Sequence, residues 1–212
     1  MFSIIVSSKD KYTLESILLP SLEPTKKYLV DNNKPEFQLV IIEGEHSITK
    51  NYNKGIDQSI WETKFFIHED MDLMDNGTLL QRIHLKFQSE PNIGLIGLVG
   101  TTENPAGFWW NCSRDSIYGH VLSGKNKEYW NWKNIEISKG IKIIDGMFMA
   151  TNKCIRFSED IIGFHFYDSD YSNKIITAGY DICIIPHLTH HNSNVKDLSK
   201  INSEYYNIKW KR

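Results

Sequence analysis

The chain has 212 residues, of which 41% are hydrophobic, enough for one domain with a sizeable core. Its 24 basic and 26 acidic residues leave a formal charge of −2, which excludes a general electrostatic pull toward nucleic acid. The three cysteines, Cys112, Cys154 and Cys183, are far apart and form no C-x-x-C pair. Neither a zinc ribbon nor a disulfide framework is indicated, and a reducing, cytoplasmic setting is expected.

The start, M-F-S-I-I-V-S-S-K-D, lacks the basic lead and long apolar stretch of a signal peptide. No apolar run approaches the roughly 20 residues that span a bilayer. Ser3–Val6 reads as a short strand. From Tyr12 to about Leu22, apolar residues at Leu14, Ile17, Leu18 and Leu22 have helical spacing, and Pro20 and Pro24 are expected to kink or end that helix. Phe37–Ile42 reads as a second strand, closed by Glu43-Gly44. Ser47 can cap a helix whose apolar face is Ile48, Tyr52, Ile56 and Ile60. Phe65–Ile67 is a third strand. Asp75 or Asn76 can cap a helix that turns Leu79, Leu80, Ile83 and Phe87 inward, and Ile93–Val99 is a fourth strand. The succession predicts an α/β architecture with a central sheet that begins parallel.

The second half is less regular. Thr101–Lys139 is loop-rich and carries Trp109, Trp110, Trp130 and Trp132, and a long irregular stretch inside a compact domain is often functional. Ile141–Ile144 and Met147–Ala150 read as strand around Asp145-Gly146. Asp168–Ala178 reads as a helix with Tyr171 and Ile175 inward and Gly179 at its end. Tyr180–Ile185 is a last strand stopped by Pro186. From Asn192 onward the tail is polar until Tyr205, Tyr206, Ile208 and Trp210.

The most telling segment is K-F-F-I-H-E-D-M-D-L, Lys64 to Leu73. A buried strand that ends in His68, Glu69, Asp70 and Asp72 releases carboxylates where open α/β sheets bind ligands. Clustered carboxylates repel unless a cation lies between them, and hard oxygen ligands suit Mg2+ or Mn2+ shared with a phosphate. The plainer alternative is a solvated strand-to-loop turn, where Asp is common. Asp168 would sit at a helix start, either as a simple cap or as a partly desolvated base between aromatic neighbours. His187, His190 and His191 follow the last strand, where one of them can complete an oxygen-rich metal site. Glu43, at a strand end, is placed to contact a nucleobase or ribose. The tryptophans can stack on a sugar ring or pack as a lid. No G-x-x-x-x-G-K-[ST] or G-x-G-x-x-G run exists, which argues against a phosphotransferase or nucleotidyltransferase.

Taken together, these pieces resemble the family-2-type glycosyltransferases that use nucleotide sugars. The segments are S-I-I-V-S-S, S-I-T-K-N-Y-N-K-G-I-D, H-E-D-M-D, I-I-D-G-M-F-M-A-T-N-K, F-S-E-D-I-I-G-F-H-F-Y-D-S-D and T-H-H-N-S. They run from Ser3 to about Asn194, and the likeness is greatest to the short bacterial-type branch whose acidic motif begins with His. The resemblance implies a single GT-A domain, Rossmann-like, with a mixed and mostly parallel sheet flanked by helices. Residues 1–100 would form the nucleotide-binding half, 101–194 the acceptor and catalytic half, and 195–212 a tail.

It further implies an inverting transferase that moves a sugar from a nucleotide-diphosphate donor, a UDP-sugar above all, to a hydroxyl of a carbohydrate, glycolipid or protein. The D-x-D motif maps onto His68-Glu69-Asp70 or Asp70-Met71-Asp72. The implied ligands of a divalent Mn2+ or Mg2+ are Asp70, Asp72, and His191 or His190. Donor contacts are implied for Ser7, Glu43, Asn53, His68, Glu69 and Asp70, and a donor and acceptor cleft for Trp109, Trp110, Asp145, Gly146 and Asp170. Asp168 maps to the catalytic base, preceded by Tyr167 where the family usually has glutamate. The rival reading is a non-catalytic nucleotide-sugar-binding protein with a degenerate site. The terminal I-K-W-K-R could touch a membrane surface peripherally.

Overall fold

The computed structural model describes residues 1–44, 47–105, 108–161 and 164–193. The expected character of the tail, and any membrane contact by it, falls outside them.

The elements in chain order begin with β1 (Phe2–Ser8) and α1 (Lys11–Thr13), a π-helical turn at Leu14–Leu18, and α2 (Leu19–Asp31). The prolines do not end this helix. Pro20 lies in the first turn of α2, where a missing N–H costs little, and the buried Leu22, Thr25 and Leu29 hold the helix together past Pro24. Next come β2 (Gln38–Glu43) and α3 (Ile48–Gln58). Ser47 has cap-like backbone angles, but its hydroxyl pairs with Thr49 Oγ1 rather than with the helix backbone. Ile60, expected inward, lies beyond the helix end and is exposed. After β3 (Thr63–Ile67) and β4 (Met71–Asp72), Asp75 Oδ2 accepts from Gly77 N and Leu79 N and so caps α4 (Leu79–Ser89).

The chain continues through β5 (Ile93–Gly97) and β6 (Gly100–Thr101). The region expected to be loop contains β7 (Ile117–Tyr118) and a hairpin of β8 (His120–Ser123) and β9 (Glu128–Asn131). Then follow β10 (Ile143–Ile144), β11 (Phe148–Thr151), α5 (Tyr167–Thr177), β12 (Asp181–Ile184) and β13 (His190–His191).

The central sheet has the order β12-β5-β11-β3-β1-β2. The pairs β1–β2, β1–β3 and β5–β12 are parallel, while β11 runs antiparallel to both β3 and β5. Its strands are buried on both faces, and successive residues feed opposite cores. Ile4, Phe65, Ala150 and Ile96 join one cluster with Leu79, Ile83 and Phe87 of α4 and Leu22 and Leu29 of α2. Ile5, Phe66, Met149 and Leu95 join the other, with Tyr52 of α3 and Tyr171 and Ile175 of α5. Two smaller sheets, β10-β6-β7 and β4-β13-β8-β9, sit beyond the central one. Among the described residues no helix is long and apolar enough to cross a membrane.

Candidate functional site

The site forms where several chain ends meet at one edge of the central sheet. Strand β3 delivers His68, Glu69 and Asp70 at its carboxyl end. Because β11 runs antiparallel, its leading turn Asp145-Gly146-Met147 reaches the same edge, and His68 N donates to Met147 O at 3.0 Å. Short β13 pairs with β4, and Asn192 N donates to Asp70 O at 3.0 Å, which sets His191 beside Asp70. Helix α5 starts against the turn, with Gly146 N donating to Asp168 Oδ2 at 3.0 Å and Ser169 N to Oδ1 at 2.7 Å. Its entry residue Phe166 adopts a left-handed conformation, φ 63°, a strained choice for a bulky side chain. His68, Asp70, Asp145, Asp168 and His191 face one cavity of about 1710 Å³, whose lining also includes Trp109, Trp110, Trp130 and Trp132.

Three side chains converge within it. His68, Asp70 and His191 each offer one ligand atom, and those atoms lie within 4.8 Å of one another. His68 Nδ1 is 3.3 Å from His191 Nε2, and His191 Nε2 is 3.4 Å from an Asp70 oxygen. On its other side, His68 Nε2 lies 2.6 Å from the Tyr167 hydroxyl. Two imidazole nitrogens and a carboxylate, open to a cavity, fit a divalent first-row cation.

Burial pushes the His68 imidazole down to about 4, with His191 adding to the effect, so it is neutral at physiological pH. Burial acts to raise the Asp70 carboxyl, but hydrogen bonding and charge from His191 and His68 outweigh it and bring it down to about 2. His191 shows the reciprocal effect: burial opposes its charge, yet Asp70 lifts it above the ordinary histidine value. Asp168 is pushed up to about 7, first by burial and then by the Asp145 charge, against the pull of the backbone amides. Asp145, whose Oδ1 accepts from Met147 N, is raised mainly by burial.

Other residues expected at the site divide into two groups. Ser7 lines the cavity and accepts from Asn51 Nδ2 at 2.8 Å, a contact from α3 that the sequence did not single out. Glu69 also faces the cavity, but its Oε2 is engaged by Ser8 Oγ, Lys9 N and Asp10 N, so it braces the β1–α1 turn. Trp109, Trp110, Asp145 and Gly146 line it as expected.

The rest lie away from the cavity wall. Asp72 stands two residues beyond Asp70, but the turn at Glu69–Asp70 breaks the strand alternation that would set the two on one side, and Asp72 Oδ1 accepts from Met74 N. Neighbouring residues of β13 diverge, and His190 Nε2 lies 2.9 Å from Gly124 O. Asn53 is buried between Phe157 and Glu159, bonding to the backbone N–H and C=O of the first and to Oε1 of the second. Asp170 is buried on α5. Glu43 is exposed at the end of β2, opposite Ser8 in register, at the same sheet edge but outside the cavity lining. His187 Nε2 lies 2.9 Å from Leu73 O. Sequence reasoning passed over Arg114 and Lys125, cationic lining residues in the irregular segment where no periodicity marks them.

Residues 2–211 match the sequence profile described as "Glycosyltransferase like family", and the chain belongs to that family. Its fold is the GT-A type, a mixed α/β sheet flanked by helices, shared with solved transferases. One is a mannosyltransferase, PcManGT, from Pyrobaculum calidifontis, solved with GDP-Man and Mn2+. It is 13% identical with a TM-score of 0.55, over 92% of this chain and 57% of that one. Another is TarS residues 1–349 of S. aureus with UDP-GlcNAc, 10% identical with a TM-score of 0.57, over 95% of this chain and 61% of that one. Full TarS of S. aureus gives a TM-score of 0.56 at 12% identity, over 98% of this chain and 38% of that one. The chain thus spans less than two thirds of each of these proteins. No curated protein sequence matches it.

Proposed function

We propose that the protein is an inverting, metal-assisted glycosyltransferase that moves a sugar from a nucleotide-diphosphate donor to an acceptor hydroxyl. The observation that carries this reading is the pairing, across one cavity, of the His68–Asp70–His191 cluster with the high-pKa carboxyl of Asp168. In this reading residues 1–100 hold the nucleotide, and residues 101–194 bring the base and the acceptor surface.

His68, Asp70 and His191 would hold the cation. When bound, it supplies positive charge against the diphosphate as negative charge develops on the leaving group. The mixed nitrogen and oxygen set suits Mn2+ better than Mg2+, which takes oxygen ligands and keeps its water. That fits a neighbour solved with Mn2+. Asp168 takes the proton of the acceptor hydroxyl as its oxygen bonds to the anomeric carbon. The bond from that carbon to the diphosphate oxygen breaks on the opposite face, so configuration inverts. A base titrating near 7 is matched to this work, since about half of it is ionised at neutral pH and that form still holds a proton well. Backbone amides of Gly146 and Ser169 aim its two oxygens.

Trp109, Trp110, Trp130 and Trp132 favour a sugar-containing acceptor, because aromatic faces stack on the apolar faces of sugar rings. The donor is a UDP- or GDP-sugar. Asp168→Asn is expected to keep donor binding and lose transfer by about 10²–10⁴-fold. Transfer within a few-fold of wild type would remove Asp168 from the role. Donor binding without transfer or slow donor hydrolysis in the unmodified protein would instead mark a non-catalytic binder.

A further inference from the structure

We propose that Tyr167 is the positioning residue of the His68–Asp70–His191 cluster, fixing the tautomer of His68 that presents the Nδ1 lone pair to a cation. This rests on the metal reading above and adds a residue that contacts the ligand His68 rather than the metal.

His68 Nδ1 points into the cluster, toward His191 Nε2 at 3.3 Å. An imidazole nitrogen that binds a metal must be free of its proton, so the other nitrogen carries it. That other nitrogen, Nε2, lies 2.6 Å from the Tyr167 hydroxyl oxygen. A buried N–H needs an acceptor, and the Tyr167 oxygen is within reach to be one. The Tyr167 proton is then free to turn toward the buried Tyr52 hydroxyl, which has no well-aligned hydrogen bond among the described residues and interacts with the Tyr167 hydroxyl.

Tyr167 is itself held in place. It is 3% exposed, and its ring packs edge-on against Tyr52 and near Phe157. A Cβ at position 146 would come within 2.1 Å of its hydroxyl oxygen, so the glycine there leaves the room this oxygen occupies. The next residue, Asp168, is tied to the Gly146 amide. The hydroxyl is therefore anchored from both sides of the helix start, and it acts through His68 rather than on substrate.

The reverse arrangement has Tyr167 donating to Nε2 and a proton on Nδ1, where it blocks the cation. The two arrangements are separable by experiment. In the metal-free protein, long-range 15N–1H NMR of the histidines should show His68 protonated on Nε2, assigned by its disappearance in His68→Asn. Mn2+ alone, titrated by calorimetry into wild type and Tyr167→Phe, should bind the variant about 10–100-fold more weakly. The variant's His68 should shift toward the Nδ1–H form. A merely structural tyrosine would lower the melting temperature without moving the tautomer. Protonation of wild-type His68 on Nδ1 overturns the proposal, and so does Mn2+ affinity in Tyr167→Phe within about twofold of wild type. Nε2–H in a wild-type protein that binds no Mn2+ overturns the metal reading itself and this role with it. The NMR result thus separates that failure from a failure of the tyrosine alone.

Discussion

Asp168 and Asp145 are two carboxylates in one partly dry corner, and burial, with the Asp145 charge adding to it, sets the pH behaviour of Asp168. Asp168 is pushed up to about 7 by burial and by Asp145. Asp145 is raised as well, mainly by burial. Only the ionised form of Asp168 takes a proton from an acceptor. Transfer should therefore rise with pH through about 7 and level off above it, a limb that Asp168→Asn abolishes along with the rate. The stability effect has the opposite sign. A raised folded-state pKa favours the protonated fold, a contribution full below about 4 and lost as pH climbs through about 7. A pH–rate profile for kcat/KM that stays flat from pH 5 to 9 would contradict the assignment. Asp70 was legible in the sequence because it belongs to both possible registers of the acidic motif. Which register holds was not legible, since it turns on the local turn that sends Asp72 to Met74 N and leaves Asp70 facing His191.

Helix α3 shows how tightly the elements approach. A Cβ at Gly55 would lie 2.2 Å from Ile5 Cγ2, so the glycine permits α3 to lie close on β1. Two effects compete in Gly55→Ala. Helix propensity favours alanine by about 1 kcal/mol. Overpacking against a buried branched side chain costs about 1–3 kcal/mol and a shift of the helix. The second outweighs the first, so the melting temperature should fall by a few degrees, at roughly 2–4 °C per kcal/mol for a chain of this size. A rise on differential scanning calorimetry would show that α3 has slack against the sheet. The long helices could be read from spacing, as Leu79, Leu80, Ile83 and Phe87 illustrate, because a 3.6-residue period repeats over three turns. The β8–β9 hairpin could not, because its strands have only four residues each, with one buried position in β8 and none in β9, too little pattern to read.

For the molecule as a whole, the site depends on pairings between distant parts of the chain. His68 and His191 are 123 residues apart, and a two-residue strand brings them to 3.3 Å. The sequence marked both ends but held no local signal for the pairing. The same is true of β11: Met147–Ala150 could be read as strand, while its antiparallel insertion between β3 and β5 follows only from the completed sheet. That insertion is what carries Asp145 and Gly146 to the edge where β3 ends. Converging ends of this kind build one cavity from chemistry that is scattered along the chain.

The direct test of that convergence is donor binding with and without the cation. Melting curves of the unmodified protein should be recorded with UDP-GlcNAc and with GDP-Man, in Mn2+ and again in chelator. A ligand present at 100 times its Kd stabilises the fold by about 2.7 kcal/mol, which corresponds to roughly 5–10 °C here. The account predicts a shift of that order with at least one donor in Mn2+, lost in chelator and lost in Asp70→Ala. A donor shift of equal size without metal, or one that survives Asp70→Ala, would contradict it.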